Sequence, residues 1–307
     1  MRQKVRFLEN PAYCYAVGRV RALEVRLLDR ERYDRLARAG GPAEFARALA
    51  DTPYADAAAG KTPADFSAGL ERSRAANREF LAGYAVDLWL TALYRVPADF
   101  HNLKVLARIG DGGPPGRTRA AGAVPDRVRD RFVALLAERP GPAELDYALD
   151  RLEHTGLMEE LAPSDYLSGW CRLRADTSNF LAALRLRDAA RLEQALLPGG
   201  HVPLRTWREL AEAEPAAYQR RFRGTAFEPA CAAVEQFLLT GRGDRLDRLV
   251  REAELRFLAQ ARFAVLGHEP LACFHLFTEN EIGNLGRLHA AKTAGRSPEE
   301  CADLVAV

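Results

Sequence analysis

The residues best placed to do chemistry are two pairs of aspartates, Asp126-x-x-x-Asp130 and Asp146-x-x-x-Asp150. That spacing sets both carboxylates of a pair on one helical face. Two such faces, opposed, could hold magnesium around a pyrophosphate, as all-helical prenyl-transferring enzymes do. Arg127, Arg129 and Arg131 are interleaved with the first pair, which reads instead as a solvated, salt-bridged face. His268-Glu269 with Cys273-x-His275 supplies zinc-ligand types. Pro270 interrupts their helical spacing, and Phe274, Leu276 and Phe277 read as core. Gly60-Lys61-Thr62 has the ending of a phosphate loop, but Ala55 stands where its first Gly belongs and no strand precedes it. Arg242-Gly243-Asp244 reads as a helix stop. There is no H-E-x-x-H and no G-x-S-x-G, so the residues assign no catalytic set, no cofactor site and no metal site.

A different pattern recurs. An acid, two spacers, Asn, then Leu or Phe occurs at Asp99-Asn102-Leu103, Asp176-Asn179-Phe180 and Glu281-Asn284-Leu285. Three of the six Asn in the chain carry both neighbours, and self-similarity within one chain points to repeated units. A Leu-acid pair precedes each copy by a similar span, at Leu70-Glu71, Leu145-Asp146 and Leu246-Asp247. Asn is costly inside a helix, by roughly half a kcal/mol against Ala, and its amide needs partners if buried. Two readings follow: three equivalent ligand sites, or three equivalent locks in which each Asn bonds to a neighbouring helix or to its own acid. The structural reading is the stronger. Glu in place of Asp in the third copy implies a different reach there.

The elements that must carry these motifs are helical. No alternating Val/Ile run and no Asn-Gly hairpin signal is present. Asn10-Pro11 is an N-cap and first-turn proline, followed by an apolar stripe over Ala16, Val17, Val20, Leu23, Leu27 and Leu28. Thr62-Pro63-Ala64-Asp65 and Ser297-Pro298-Glu299-Glu300 read as capping boxes. The first opens a long helix with Phe66, Leu70, Asn77, Phe80, Leu81, Tyr84 and Leu88 inward. Pro97 is expected to break or kink the chain and to start the first motif helix. Leu246 to Leu266 reads as one long helix. Asp111–Gly116 and Pro198-Gly199-Gly200 are the clearest breaks. The expectation is an all-α protein of three similar helical subdomains, at 1–113, 114–198 and 199–307.

Composition narrows the function. The 307 residues are 48% hydrophobic and 28% charged, as in a globular protein, and the net charge of +2 lacks the basic excess of a nucleic-acid binder. Only four basic residues are Lys, at 4, 61, 104 and 292, and the many Arg are evenly spread. Five Cys without a C-x-x-C read as free thiols in a reducing cytosol. No apolar run approaches the roughly 20 residues of a membrane span, so a membrane role is expected to be peripheral.

Tyr13-Cys14-Tyr15-Ala16-Val17-Gly18-Arg19-Val20-Arg21-Ala22-Leu23-Glu24, with Leu27-Leu28 and Tyr33-x-x-Leu36, resembles the start of the C subunit of the V/A-type ATPases, which is called d in the eukaryotic vacuolar enzyme. Asp99-x-x-Asn102-Leu103-Lys104 and Glu279-Asn280-Glu281-Ile282-Gly283-Asn284-Leu285 are similar to that family's other motifs. The resemblance runs from about residue 9 to the end. The Gly-Gly-Pro-Pro-Gly loop and Gly286 depart from it. It implies a non-catalytic all-α funnel of three subdomains around a pseudo-threefold axis. Such a funnel lies on the cytoplasmic face of the membrane rotor (proteolipid) ring and receives the central shaft of subunits D and F. The membrane part of the stator is a further candidate contact. Inter-unit loops and Arg-rich outer faces are expected to make the contacts. An all-α metal-dependent enzyme and a generic helical adaptor are the alternatives.

Overall fold

In the computed structural model the described residues are 6–7, 9–60, 62–109, 126–138, 140–186 and 188–307; for 108–109 and 126–128 only the backbone is described. The Asp111–Gly116 loop, the 113/114 boundary, Lys61 and the Asp126 side chain therefore lie outside the described residues. Helix is the regular structure throughout, with no strand among the described residues. Contacts group the chain into two units, Met1–Val86 with Tyr218–Val307, and Asp87–Ala217. The first motif copy falls in the second of these, as does the second copy.

The first unit begins with α1 (Cys14–Glu24), α2 (Arg30–Arg38), α3 (Pro42–Leu49), α4 (Ala55–Ala58) and α5 (Pro63–Tyr84). Asn10 accepts from the Ala12 N–H ahead of α1, and Thr62 and Asp65 exchange both bonds of a capping box at the start of α5. The apolar stripe of α1 does not continue as helix to Leu28. The helix stops at Glu24, Leu28 is buried in non-helical backbone, and Asp29 caps α2 by accepting from the Arg32 N–H at 2.8 Å. Tertiary bonding of the Leu28 N–H, described below, overrides helix propensity here. Leu88, expected inward, is 82% exposed because α5 ends at Tyr84. At Gly69 an added Cβ would lie 2.4 Å from the Ala57 Cα, so glycine lets α4 and α5 touch.

The second unit carries α6 (Ala92–Ile109), α7 (Asp126–Ala137), α8 (Pro142–Glu160), α9 (Asp165–Arg185), α10 (Ala189–Ala195) and α11 (Leu204–Ala211). Pro97 does not start α6. It sits inside the helix, which begins at Ala92, so the carbonyl four residues earlier lacks its amide partner. Helix α6 packs on α8, and α9 packs on α11 with the Phe180 and Trp207 rings edge to face at 6.2 Å. Helix α12 (Pro215–Phe222) leads back to the first unit.

There α13 (Glu228–Cys231), α14 (Val234–Thr240), α15 (Asp244–Leu258), α16 (Glu269–Thr293) and α17 (Pro298–Ala302) complete the fold. The expected 246–266 helix ends at Leu258 and tightens into a 3-10 turn over Ala259–Phe263. Arg21 Nη2 donates to the carbonyls of Ala261, Arg262 and Ala264 at 3.2, 3.2 and 3.0 Å, satisfying acceptors that a longer helix would have needed amides for. Helix α16 is the axis of this unit, lying along α5 and against α1, α2, α3 and α17. Ile282, Leu285, Leu288 and Ala291 from α16 join Tyr33, Leu36, Phe45, Leu49, Phe66 and Leu70 in its core.

Candidate functional site

In the third motif copy, Asn284 is fully buried on α16. Its Nδ2 donates to the Ala306 carbonyl at 2.8 Å, and its Oδ1 accepts from Arg287 Nη2 at 2.6 Å. Asn280 donates to the same carbonyl at 2.9 Å, and Arg287 and Arg251 both donate to the Leu304 carbonyl. The chain after α17 is thus held against α16 by side-chain donors. Burial, with repulsion from Arg251, lowers the Arg287 pKa to about 10.

Glu281 faces the other way. Its carboxylate accepts from the Leu28 N–H and, at 2.8 Å, from the Tyr54 hydroxyl. Burial raises its pKa to about 7, against the opposing pull of those two donors. Burial and the Glu281 charge together push the Tyr33 and Tyr54 phenols far above their ordinary range. One turn of α16 therefore ties the α1–α2 joint, the Tyr54 turn before α4 and the C-terminal segment together.

The second copy grips one loop. Asn179, fully buried on α9, donates to the Leu197 carbonyl at 2.9 Å and accepts from the Leu197 N–H at 2.7 Å. Asp176 accepts from the His201 N–H at 2.9 Å and the Val202 N–H at 3.1 Å, with His201 Nδ1 at 3.2 Å. Gly200 passes so close that an added Cβ would lie 2.2 Å from Asp176 Oδ1. His154 Nε2 is 3.0 Å from the Pro198 carbonyl. The Pro198-Gly199-Gly200 stretch, which reads in sequence as a break, is the segment that the motif holds.

The first copy differs. Asp99 is 2% exposed, but its Oδ1 has no hydrogen-bond partner, and Arg95 Nη1 is 3.9 Å from Oδ2. Arg95 bonds instead to Glu160 at 2.7 Å. Burial raises the Asp99 pKa to about 6; Arg95 opposes the rise and Glu160 adds to it. Asn102 is half-buried. The neighbouring Lys104 is paired with Asp150.

The chemical candidates are dispersed. Asp150 is in that Lys104 pair, and Asp130 is exposed. His268, Glu269, Cys273 and His275 are buried, with the Cys273 thiol donating to the Leu258 carbonyl at 3.2 Å and burial lowering His275 to about 4. Among the described residues no three His, Cys, Asp or Glu side chains gather as a metal site. Asp244 of the Arg242-Gly243-Asp244 stretch opens α15 and pairs with Arg296 at 2.8 Å; α14 is closed by Gly241 at φ 69°. Sequence reading missed a recurrent use of Arg: Arg21, Arg151, Arg251 and Arg287 donate to main-chain carbonyls at segment ends. Arg content gives no sign of which residues do so.

The structure defines an all-α protein in which two of three acid–Asn pairs are buried hydrogen-bonding clasps. The family model for the ATP synthase (C/AC39) subunit matches residues 16–110 and 127–304, and the chain belongs to that family, a component of the V/A-type rotary enzymes. No curated protein matches the sequence. No helix among the described residues is long and apolar enough to cross a membrane.

Proposed function

We propose that this component of a rotary ATPase is its non-catalytic central-stalk socket. It joins the central shaft, subunits D and F, to the membrane rotor ring and carries torque between them. The match to the C/AC39 family over nearly the whole chain carries this reading. Its three helical segments are arranged around a pseudo-threefold axis, peripheral on the cytoplasmic face. Torque transmission needs stiffness, and the buried clasps at Asn179 and Asn284 supply it by fixing loop and tail to the long helices. The acid–Asn pairs act as locks, and the outward Arg residues and loops meet the partners. Magnesium chemistry at the Asp pairs is disfavoured by the pairing of Asp150 with Lys104.

Affinity purification of the tagged chain from its native membranes tests this. The expected co-purifying chains are the shaft subunits and the proteolipid, in fixed ratio. Recovery of the chain alone, or with proteins unrelated to an ATPase, contradicts it.

A further inference from the structure

The three motif acids differ in one respect. Asp176 and Glu281 each receive two or more donors from the chain itself. Asp99 is equally buried, yet its Oδ1 receives none. An ionised carboxylate accepts only, and leaving it without donors at this depth costs the desolvation of that oxygen. The Asp99 carboxylate lines a cavity of about 30 Å³ between α6, α7 and α8. Val96, Phe100 and Leu152 give it apolar walls; Arg95, Arg131, Glu159 and Glu160 are its other charged lining residues.

We propose that this cavity is a receptor for one cationic N–H donor, an ammonium or guanidinium head brought by another molecule. Its size admits a group comparable to a water, since a water takes roughly 30 Å³ of the liquid. Three carboxylates against two guanidiniums leave the lining one negative charge in excess. The cations at hand are placed elsewhere: Arg95 bonds to Glu160, Lys104 pairs with Asp150, and Arg131 is exposed. A metal fits poorly, because among the described residues no three carboxylate, His or Cys groups converge. A phosphate would meet the Asp99 charge. The two other motif copies show what the acid at this position takes, namely N–H and O–H donors. The ionised form of Asp99, which burial and Glu160 disfavour, is stabilised by such an occupant.

The test uses the full chain with 13C-labelled aspartate. Methylammonium chloride is titrated in, with sodium chloride at equal ionic strength as control. A saturable shift at the Asp99 carboxyl is expected, with its titration midpoint falling by about one pH unit, a tenfold preference for the ionised form. Asp176, whose oxygens are filled, is expected to stay unmoved. Asp99→Asn, checked for folding by circular dichroism, is expected to abolish the response. Equal effects of both salts, an equal response at Asp176, or no response at Asp99 overturns the proposal. The source of the cation is read separately, and only that arm rests on the rotary-ATPase reading. Zero-length carbodiimide coupling in the purified assembly, followed by mass spectrometry, links Asp99 to a Lys of another chain if a partner fills the cavity. A methylammonium response without such a link assigns a small free amine.

Discussion

The clasps on α9 and α16 start from the same spacing and reach different parts of the chain. Asp176 and Asn179 both face one loop, and their partners Leu197, His201 and Val202 follow within the next helical turn-around. Glu281 and Asn284 divide their work: Asn284 holds the C-terminal segment at Ala306, while Glu281 reaches back to Leu28 and Tyr54 near the other end of the chain. The extra methylene of Glu accords with that longer reach. A repeated motif can thus preserve its chemistry, buried acceptors meeting donors, while changing what it joins. The α9 clasp closes a local loop, whereas the α16 clasp binds the two ends of a unit assembled from distant sequence. The α6 copy holds its acid in the same buried state without a donor at Oδ1.

Breaking the local clasp has the largest expected effect. Asn179→Ala leaves both the Leu197 N–H and its carbonyl buried without their partner, so a loss of about 3 kcal/mol is expected in urea unfolding. Asn284→Ala orphans one carbonyl bond and one Arg287 donor; Asn280 still serves Ala306, so about 2 kcal/mol is expected. If the second loss exceeds the first, the ranking of the two clasps is wrong.

The Glu281 joint is sharpened by pH. Its pKa of about 7 in the fold lies above the ordinary 4.5, so the native state holds a proton that the unfolded chain releases. That contribution is complete below about pH 4.5 and is lost as pH rises to about 7. A shift of that size corresponds to roughly 2–3 kcal/mol. Glu281→Gln is expected to remove this slope, so that its stability relative to the native sequence improves by that amount from pH 4.5 to 7. Parallel stability curves would contradict the assignment. Asp99, with a pKa raised to about 6, adds a smaller slope of the same sign.

Gly200→Ala is expected to cost about 1–2 kcal/mol, since its Cβ would meet the Asp176 carboxylate and that close approach must relax. Asn102→Ala is expected to cost least, under about 1 kcal/mol, because the side chain is half-buried. Thermal or urea midpoints of the three Asn variants, measured together, give the comparison directly.

Much of the fold could be read from local chemistry. Thr62 with Asp65 and Ser297 with Glu300 form the capping boxes their spacing announces, and Asn10 caps the turn at Pro11. The motif residues were visible as a repeat because the acid and Asn lie one turn apart. Their partners were not, since Leu28 and Tyr54 come from distant sequence and a main-chain N–H leaves no residue signature. Helix ends were misplaced where tertiary bonds decide them, at Glu24 and Leu258, and Pro97 lies inside a helix that its neighbours carry past it. That Asp99 would differ from its two counterparts has no mark in the sequence, because its acid, Asn and Leu match them.

The central claim is that the chain couples rotation without catalysing hydrolysis. It is tested most directly in membrane vesicles depleted of the chain and then supplied with it. ATP-driven ion uptake is predicted to vanish on depletion and return with the added chain, while the soluble head hydrolyses ATP throughout. Ion uptake that persists without the chain, or hydrolysis by the purified head that requires it, would contradict the account.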